Sequence, residues 1–282
     1  MRDFTVQKYK VLINTLKKEQ YRFFTVKDAL CNREIDQGNK VAVIRHDIDT
    51  RYDSPIALQM ARFEVSNNIS ATYYFRTIPD VFDESVIRDI YEMGHEIGYH
   101  YEVLSLTRGN LEKAIDLFQK DLSRLRSICP IHTICQHGGT LGPYSSTSFF
   151  GLVKTSLALL RGKLDLKYYP SIKLWDKYDF KDYGICGDAY LSFDFSKIKY
   201  FSDTGSSWDN HGARIVDDVE EGQNAELKAH STNDLIALIE NRKVEKLSIL
   251  VHPANWNDPI LKWIKWRALQ FVRNISKRVI KK

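Results

Sequence analysis

Apolar runs in this chain are short, and several end abruptly in polar residues. Val41-Ala-Val-Ile44 runs into Arg45, His46, Asp47 and Asp49. Four apolar residues followed by turn formers predict a buried parallel strand whose C-terminal tip carries two carboxylates. The same figure recurs at Ala71-Thr-Tyr-Tyr-Phe75, at Glu96-Ile-Gly-Tyr-His100, at Ile131-His-Thr-Ile-Cys135 before Gln136, His137, Gly138 and Gly139, and at Leu247-Ser-Ile-Leu-Val251 before His252-Pro253. Helical spacing fills the intervals. Ala57, Met60, Ala61 and Val65 follow a start at Ser54-Pro55; Val86, Ile90 and Met93 precede a closing Gly94; Leu111, Ile115, Phe118, Leu122 and Leu125 follow a cap at Asn110. Ser231, with Asp234 three residues on, opens a helix through Leu235, Leu238 and Ile239.

Strands alternating with helices predict a parallel sheet with right-handed crossovers. Residues 1–40 read as a helical lead-in through Tyr9, Leu12, Leu16 and Tyr21, and residues 140–182 as an insertion with one apolar patch at Leu157 to Leu160. Strand-like pieces return at Tyr183 to Tyr190 and Lys199 to Ser202. With no repeat and no low-complexity linker, the 282 residues predict a single α/β domain with its core at about 40–255, a distorted and incomplete (β/α) barrel.

Composition sharpens this in three ways. The N-terminus lacks the apolar core of a signal peptide and no apolar run approaches membrane-spanning length, so a cytoplasmic location is the default expectation. Cys31, Cys129, Cys135 and Cys186 have no CxxC spacing and lie in or beside apolar segments, which predicts four reduced packing residues. Charge is concentrated at one end. Residues 261–282 hold eight Lys or Arg and no Asp or Glu, leaving 33 basic against 36 acidic residues elsewhere, so nothing suggests a nucleic-acid groove.

The strand tips carry the candidate chemistry. Asp47 and Asp49, two apart, share a side if the strand continues, and like charges that close call for a cation or a proton between them. His100, His137 and His252 end other strands, and carboxylates and imidazoles on one rim are the material of a metal-assisted hydrolytic site. His46, His95, His132, His211 and His230 lie off that rim. His95-Glu96 lacks the spacing of a zinc HExxH helix. Tyr73, Tyr74, Tyr99 and Tyr101 are candidates to stack on sugar rings, although alternation turns about half of them into the core.

Over about residues 40–255 these segments resemble, in order, the motifs of the NodB-homology polysaccharide deacetylases, carbohydrate esterase family 4. Arg45-His-Asp-Ile-Asp49 resembles the first motif, which implies Asp47 as base and Asp49 as metal ligand. Ala71 to Phe75 resembles the second-strand segment, and Gly94 to His100 the run into a metal-binding histidine, here His100. Gln136-His-Gly-Gly139 stands at the third motif, whose Arg orients the base. Asp203 and Trp208 resemble the fourth motif and Leu250-Val-His252 the fifth, whose histidine is the general acid. The chain departs twice. The second metal-binding histidine, four residues after the first, is replaced by Leu104, so either His137, or after it Glu102, completes the site, or the metal is weakened or lost. The third motif lacks its Arg, for which Arg45 is the candidate substitute.

The resemblance implies a seven-stranded sheet and a hydrolase that removes an acetyl group from an N-acetylated sugar with a divalent metal, zinc foremost. Asp47, His252, Arg45 and Asp203 would be catalytic, Asp49, His100 and His137 metal-binding, and Trp208, Tyr74 and Tyr101 substrate-binding. A cytoplasmic biosynthetic intermediate, a sugar nucleotide or a lipid-linked glycan, is the expected substrate. Rival readings are a metal-independent amide hydrolase of the same fold, a nucleotide-sugar glycosyltransferase using Asp47-Ile-Asp49 as its DxD, and an inactive carbohydrate-binding module.

The basic tail has its own pattern. Leu261, Ile264, Ala268, Val272, Ile275 and Val279 form a helical stripe flanked by Trp263, Trp266 and the basic residues. Two readings stand: a last helix packed on the barrel, or peripheral attachment to an anionic membrane at its inner face.

Overall fold

The first 30 residues contribute more than a helical lead-in. In the computed structural model, which describes residues 2–31, 40–138, 173–208, 219 and 222–280, helix α1 (Val6–Lys18) leads into a short strand β1 (Arg22–Phe24) and helix α2 (Val26–Cys31). Strand β1 runs parallel to β2 (Val41–Ile48), pairing Arg22 to Phe24 with Val41 to Val43. Three residues are too few to show a period, so the strand has no sign in the hydrophobic pattern.

The core then follows the alternation. Helix α3 (Ser54–Val65), β3 (Thr72–Phe75), α4 (Glu84–Glu92), β4 (Glu96–Tyr101), the single turn α5 (Val103–Leu106), α6 (Leu111–Arg126) and β5 (Thr133–Gln136) succeed one another. After the insertion come β6 (Gly187–Asp188), β7 (Lys199–Ser202), α7 (Thr232–Glu240), β8 (Lys246–Val251) and α8 (Ile260–Ile280). Local chemistry sets the boundaries. Asn110 accepts from the Lys113 amide at 3.0 Å, Asp83 caps α4, and Ser231 and Asp234 cap α7 reciprocally, each meeting amide donors a helix start leaves free. Gly94 ends α4 at φ +93°, a conformation that favours glycine. The patch at Leu157 to Leu160 and the rest of 139–172 lie outside the described residues.

All pairings are parallel, in the order β6-β5-β4-β3-β2-β8-β7, with β1 on β2 as an eighth strand beyond the seven expected. The sheet curls. The Tyr190 ring, two residues past β6, lies 6.4 Å from Tyr200 on β7 although those strands end the order, which is an incomplete barrel. Alternation divides β2: Val41 and Val43 face the inside with Tyr74, Cys135, Tyr200 and Leu250, whereas Ala42, Ile44 and Ile48 face the helices. Each fully buried large apolar side chain contributes roughly 1.5–3 kcal/mol. Gly98 matters to the inside. A side chain there would collide with the Tyr74 ring, which lies under Arg45 with the guanidinium 5.8 Å from its centre.

One expectation is overturned. Cys31, at the end of α2, and Cys186, beside β6, form a disulfide with Cα atoms 5.8 Å apart, while Cys129 and Cys135 are free and buried. The partners are 155 residues apart, a separation at which spacing rules are blind. Among the described residues no helix is long and apolar enough to cross a membrane.

Candidate active site

Five strand ends and the turns after them bring polar side chains to the rim at the C-terminal end of the sheet. Parallel strands all point their C-termini one way, so each abrupt apolar-to-polar boundary delivers its polar residue to the same place. Strand β2 supplies Arg45, Asp47 and Asp49; β4 supplies His100 and Glu102; β5 leads to His137; β7 leads to Asp203; β8 leads to His252.

Asp49 is the hub. Its Oδ1 lies 3.1 Å from His100 Nε2 and 3.5 Å from His137 Nε2, and its Oδ2 lies 3.7 Å from His252 Nε2. His100 Nε2 is also 3.6 Å from Asp47 Oδ2. His100 Nδ1 is 3.0 Å from the carbonyl oxygen of Cys135, which can only accept, so Nδ1 carries the hydrogen. In the neutral ring, Nε2 therefore presents a lone pair to carboxylate oxygens. Acceptors set against acceptors need a cation or an extra proton between them. Asp47 Oδ1 and Asp49 Oδ1 are moreover buried without a hydrogen-bond partner.

A divalent metal fits this set. Ligand bonds near 2.1 Å in a tetrahedral site place donor atoms about 3.4 Å apart, close to the two distances around Asp49 Oδ1. One carboxylate oxygen and two imidazole nitrogens suit zinc-like ions. A second cluster, Asp47, His100 and Cys135, has the same spread, but it is wholly buried. Glu102 stands behind the first set: its Oε2 lies 3.6 Å from His137 Nδ1, and its carboxylate takes two bonds from Arg76, at 2.7 and 2.6 Å. Arg76 also donates to the Asp49 carbonyl at 2.6 Å. Glu102 thus orients His137, the supporting role that carboxylates take toward metal-binding histidines.

Electrostatics follow this wiring. Burial alone would raise the Asp49 carboxyl, but His137, His100 and His252 hold it well below the usual carboxylate range. Burial likewise opposes ionisation of Glu102, yet the nearby His137 imidazole, then the bonds and charge of Arg76, bring it to about 2. For His137, burial and the charge of Arg76 favour the neutral ring and are outweighed by Asp49 and Glu102, so its pKa rises.

The other wall is the pair His252 and Asp203. Asp203 is fully buried, 2.5 Å from His252 Nδ1, and is itself held by the Trp256 indole at 2.7 Å and the His252 amide at 3.0 Å. Burial works against the imidazolium, but Asp203, then Asp49 and Asp47, raise His252 to about 10. Its Nε2–H points into the site, charged at neutral pH. Asp47 has Arg45 beside it, Nη2 to Oδ2 3.4 Å, and Arg45 is clamped by a hydrogen bond to the Tyr190 hydroxyl.

The three residues expected to bind substrate are not at the rim. Tyr74 is fully buried, its hydroxyl on Thr133 Oγ1 at 2.9 Å. Tyr101 is turned to the helix layer against Phe118, bonded to Asp188 and to the Trp175 indole. Trp208 packs on Phe4 and Trp256 and donates to Thr232. Their aromatic character serves the core, so none offers a face to a sugar. Leu104 is buried with the helix layer because α5 begins directly after β4 and turns its side chain from the rim.

Sequence reading missed Arg76 and Asp53. Arg76 directly follows the predicted strand Ala71 to Phe75, so the strand-end rule could have found it. Asp53, just before the helix start at Ser54-Pro55, accepts from Thr50 N at 2.8 Å and from Ala254 N at 2.7 Å, pinning the turn after Asp49 to the turn after His252. Burial and the neighbouring charge of Asp49 raise it to about 6.

No protein-family model matches the chain, and no curated protein matches it. Solved structures with a similar chain path include a BA3943 mutant, a CE4 family pseudoenzyme with restored enzymatic activity (11% identity, TM-score 0.40), and a second BA3943 mutant, a CE4 family pseudoenzyme (10%, 0.39). Each match covers 86% of this chain and 62% of the other, so the chain spans less than two thirds of those proteins. Bacillus subtilis PdaA, a family 4 carbohydrate esterase, is also similar (10%, TM-score 0.35, 96% of this chain and 82% of that one). At these scores the likenesses carry no weight for chemistry, which is read from this chain's own side chains.

Proposed function

We propose that the protein is a metal-assisted hydrolase of the C–N amide bond of an N-acetylated sugar, acting on a biosynthetic intermediate such as a sugar nucleotide or lipid-linked glycan. The observation that carries the chemistry is the three-ligand cradle of Asp49, His100 and His137 facing the Asp203–His252 pair across one rim. The sugar rests on the motif resemblance alone. Asp49, His100 and His137 would hold a divalent ion, which when bound would supply Lewis-acid polarisation of the amide carbonyl.

The chain's own residues do the rest. Asp47 removes a proton from the attacking water, with Arg45 holding the carboxylate in place. His252, kept protonated by Asp203, donates its Nε2 proton to the departing amine. Two groups of opposite protonation state face one space, which acid–base chemistry on a neutral amide requires. Glu102 and Arg76 hold His137 and the Asp49 backbone in register.

The test is mass spectrometry of acetylated sugar nucleotides and lipid-linked sugars incubated with the protein, with zinc or with chelator, looking for loss of one acetyl group. On a substrate so found, Asp47→Asn and His252→Ala should each lower kcat/KM by about 10²–10⁴. Full activity in both variants would falsify the mechanism. Full activity in chelator, with no metal in the purified protein, would move the reading to a metal-independent amide hydrolase.

A further inference from the structure

Helix α8 docks on the body by a face of indoles and polar groups, with Leu269 buried beside them. Trp263 donates to the Asp3 carbonyl at 2.8 Å, Trp266 to Asn255 at 2.8 Å, Gln270 to Asn255 at 3.3 Å and Asn274 to the Gly205 carbonyl at 3.0 Å, while Arg267 reaches the Ser206 carbonyl. At 100° per residue these side chains share one face. Ile260, Leu261, Ile264, Ala268 and Phe271 project on the other side, and the larger four are 50–70% exposed. A helix that only covered the barrel would not leave four large apolar side chains in solvent. Leu261, Ile264 and Ala268 of the outward face belong to the apolar stripe, and the exposed Lys262 and Lys265 lie beside them, in a segment with eight basic residues and no acidic one.

We propose that this face of α8 lies in the surface of an anionic lipid bilayer. The pattern is that of an interfacial helix: apolar side chains for the acyl boundary, lysines for the headgroups, and too little apolar length for spanning. A second copy is the poorer occupant, because pairing the outer faces would oppose two strongly basic segments. Position adds to the case. A groove of about 980 Å³ runs between α8 and the start of α3, with Ile56, Trp256, Trp266 and Leu269 among its walls and Lys262 and Lys265 beside them. Those walls include Tyr52 and Ala254, within three residues of Asp49 and His252, so a bilayer at α8 lies beside the candidate site. The docking does not rest on the hydrolase reading, and its readout involves no turnover, so either can fail without the other.

The test is co-sedimentation of the full chain with vesicles of phosphatidylcholine alone or mixed with phosphatidylglycerol. We expect at least about tenfold more protein on the anionic vesicles, with the excess lost at high salt. The double variants Leu261→Asp with Ile264→Asp, and Lys262→Glu with Lys265→Glu, should each lower that binding by roughly tenfold with an unchanged thermal melt, because the altered side chains are solvent-facing. Equal binding to neutral and anionic vesicles, no binding to either, or full binding by both variants would overturn the proposal. So would a wild-type dimer that the Leu261→Asp, Ile264→Asp variant converts to monomer, which would assign the face to a second copy.

Discussion

Strand β2 has a carboxylate with histidines gathered around it at each of its faces. Toward the helices, Glu64 of α3 meets His46 and His95; toward the barrel interior, Asp49 meets His100 and His137. The residue types match, but the hydrogen-bond arithmetic does not. Glu64 accepts from His46 at 2.7 Å, Tyr73 at 2.7 Å and Tyr9, while His95 is turned away, accepting from the Ala71 amide at 3.2 Å and facing the Ala61 carbonyl at 3.1 Å. Donors meet acceptors around the Glu64 carboxylate, and the one unpartnered atom of that cluster, His46 Nδ1, lies on the far side of the ring from it. Around Asp49, lone pairs face lone pairs, and its Oδ1 has no hydrogen-bond partner. A buried histidine–carboxylate cluster is thus a structural brace when its donors are complete and a candidate ion site when they are missing.

The comparison breaks most visibly at Glu64. Glu64→Gln removes the charge from three converging donors at a fully buried position, and breaking a buried pair in this way costs about 3–5 kcal/mol. Urea unfolding of wild type and variant measures the loss. A loss under about 1 kcal/mol would mean that the outer cluster does not brace the fold.

The Cys31–Cys186 disulfide is next. It closes a loop of 155 residues, for which the chain-entropy estimate is up to about 5 kcal/mol, although such bonds commonly deliver 2–4. Thiol labelling of unfolded, unreduced protein should find two reactive cysteines out of four. Four would restore the all-reduced state read from the sequence.

How far the sequence discloses these clusters depends on what each needs to be seen. Asp47, Asp49, His100, His137 and His252 are legible because each closes an apolar run, and parallel topology carries such endings to one rim. Glu64 is hidden by the opposite logic. Helical spacing from Ala57, Met60 and Ala61 leads to position 64 as the buried one, but hydrophobicity passes over a glutamate and selects Val65, which is 40% exposed. Periodicity finds the face and polarity disguises its occupant. Tyr74, Tyr101 and Trp208 err the other way, since an aromatic at a strand position fits a core and a sugar platform equally well. The pairs Cys31 with Cys186 and Arg76 with Glu102 are tertiary facts with no local sign.

The inner cluster has a pH signature. Glu102 is depressed to about 2, mainly against its burial by His137 and Arg76, so its contribution to stability is fully present above its unfolded value near 4.5 and is lost as pH falls through about 2. The shift corresponds to roughly 3 kcal/mol at most. In metal-free protein the Glu102→Gln variant should therefore show a flatter decline in stability below pH about 4.5 than wild type. Parallel declines would mean that Glu102 is not held by His137 and Arg76. For His252 the sign reverses. Its pKa is raised to about 10, so its contribution is full below about 6.5 and disappears as pH rises through about 10.

The smallest expected effect is the most discriminating. Asp49→Asn is nearly isosteric at a side chain that is 25% exposed, and its three histidine neighbours keep other anchors: His100 on the Cys135 carbonyl, His137 beside Glu102, His252 on Asp203. Its amide can also donate to the His100 lone pair, which the carboxylate cannot. In metal-free protein the substitution loses the attraction of three imidazoles but gains that amide hydrogen bond, and should cost about 1–2 kcal/mol, less than Glu64→Gln. Added zinc should then raise the melting temperature of wild type, as any ligand confined to the folded state does, and leave that of Asp49→Asn where it was. The variant at Glu64, if folded enough to measure, should keep the zinc response because its cluster lies on the other face of β2. Should Asp49→Asn instead cost as much as Glu64→Gln and zinc move neither melting curve, the inner cluster would be a second brace, and the distinction between the two faces of β2 would fall.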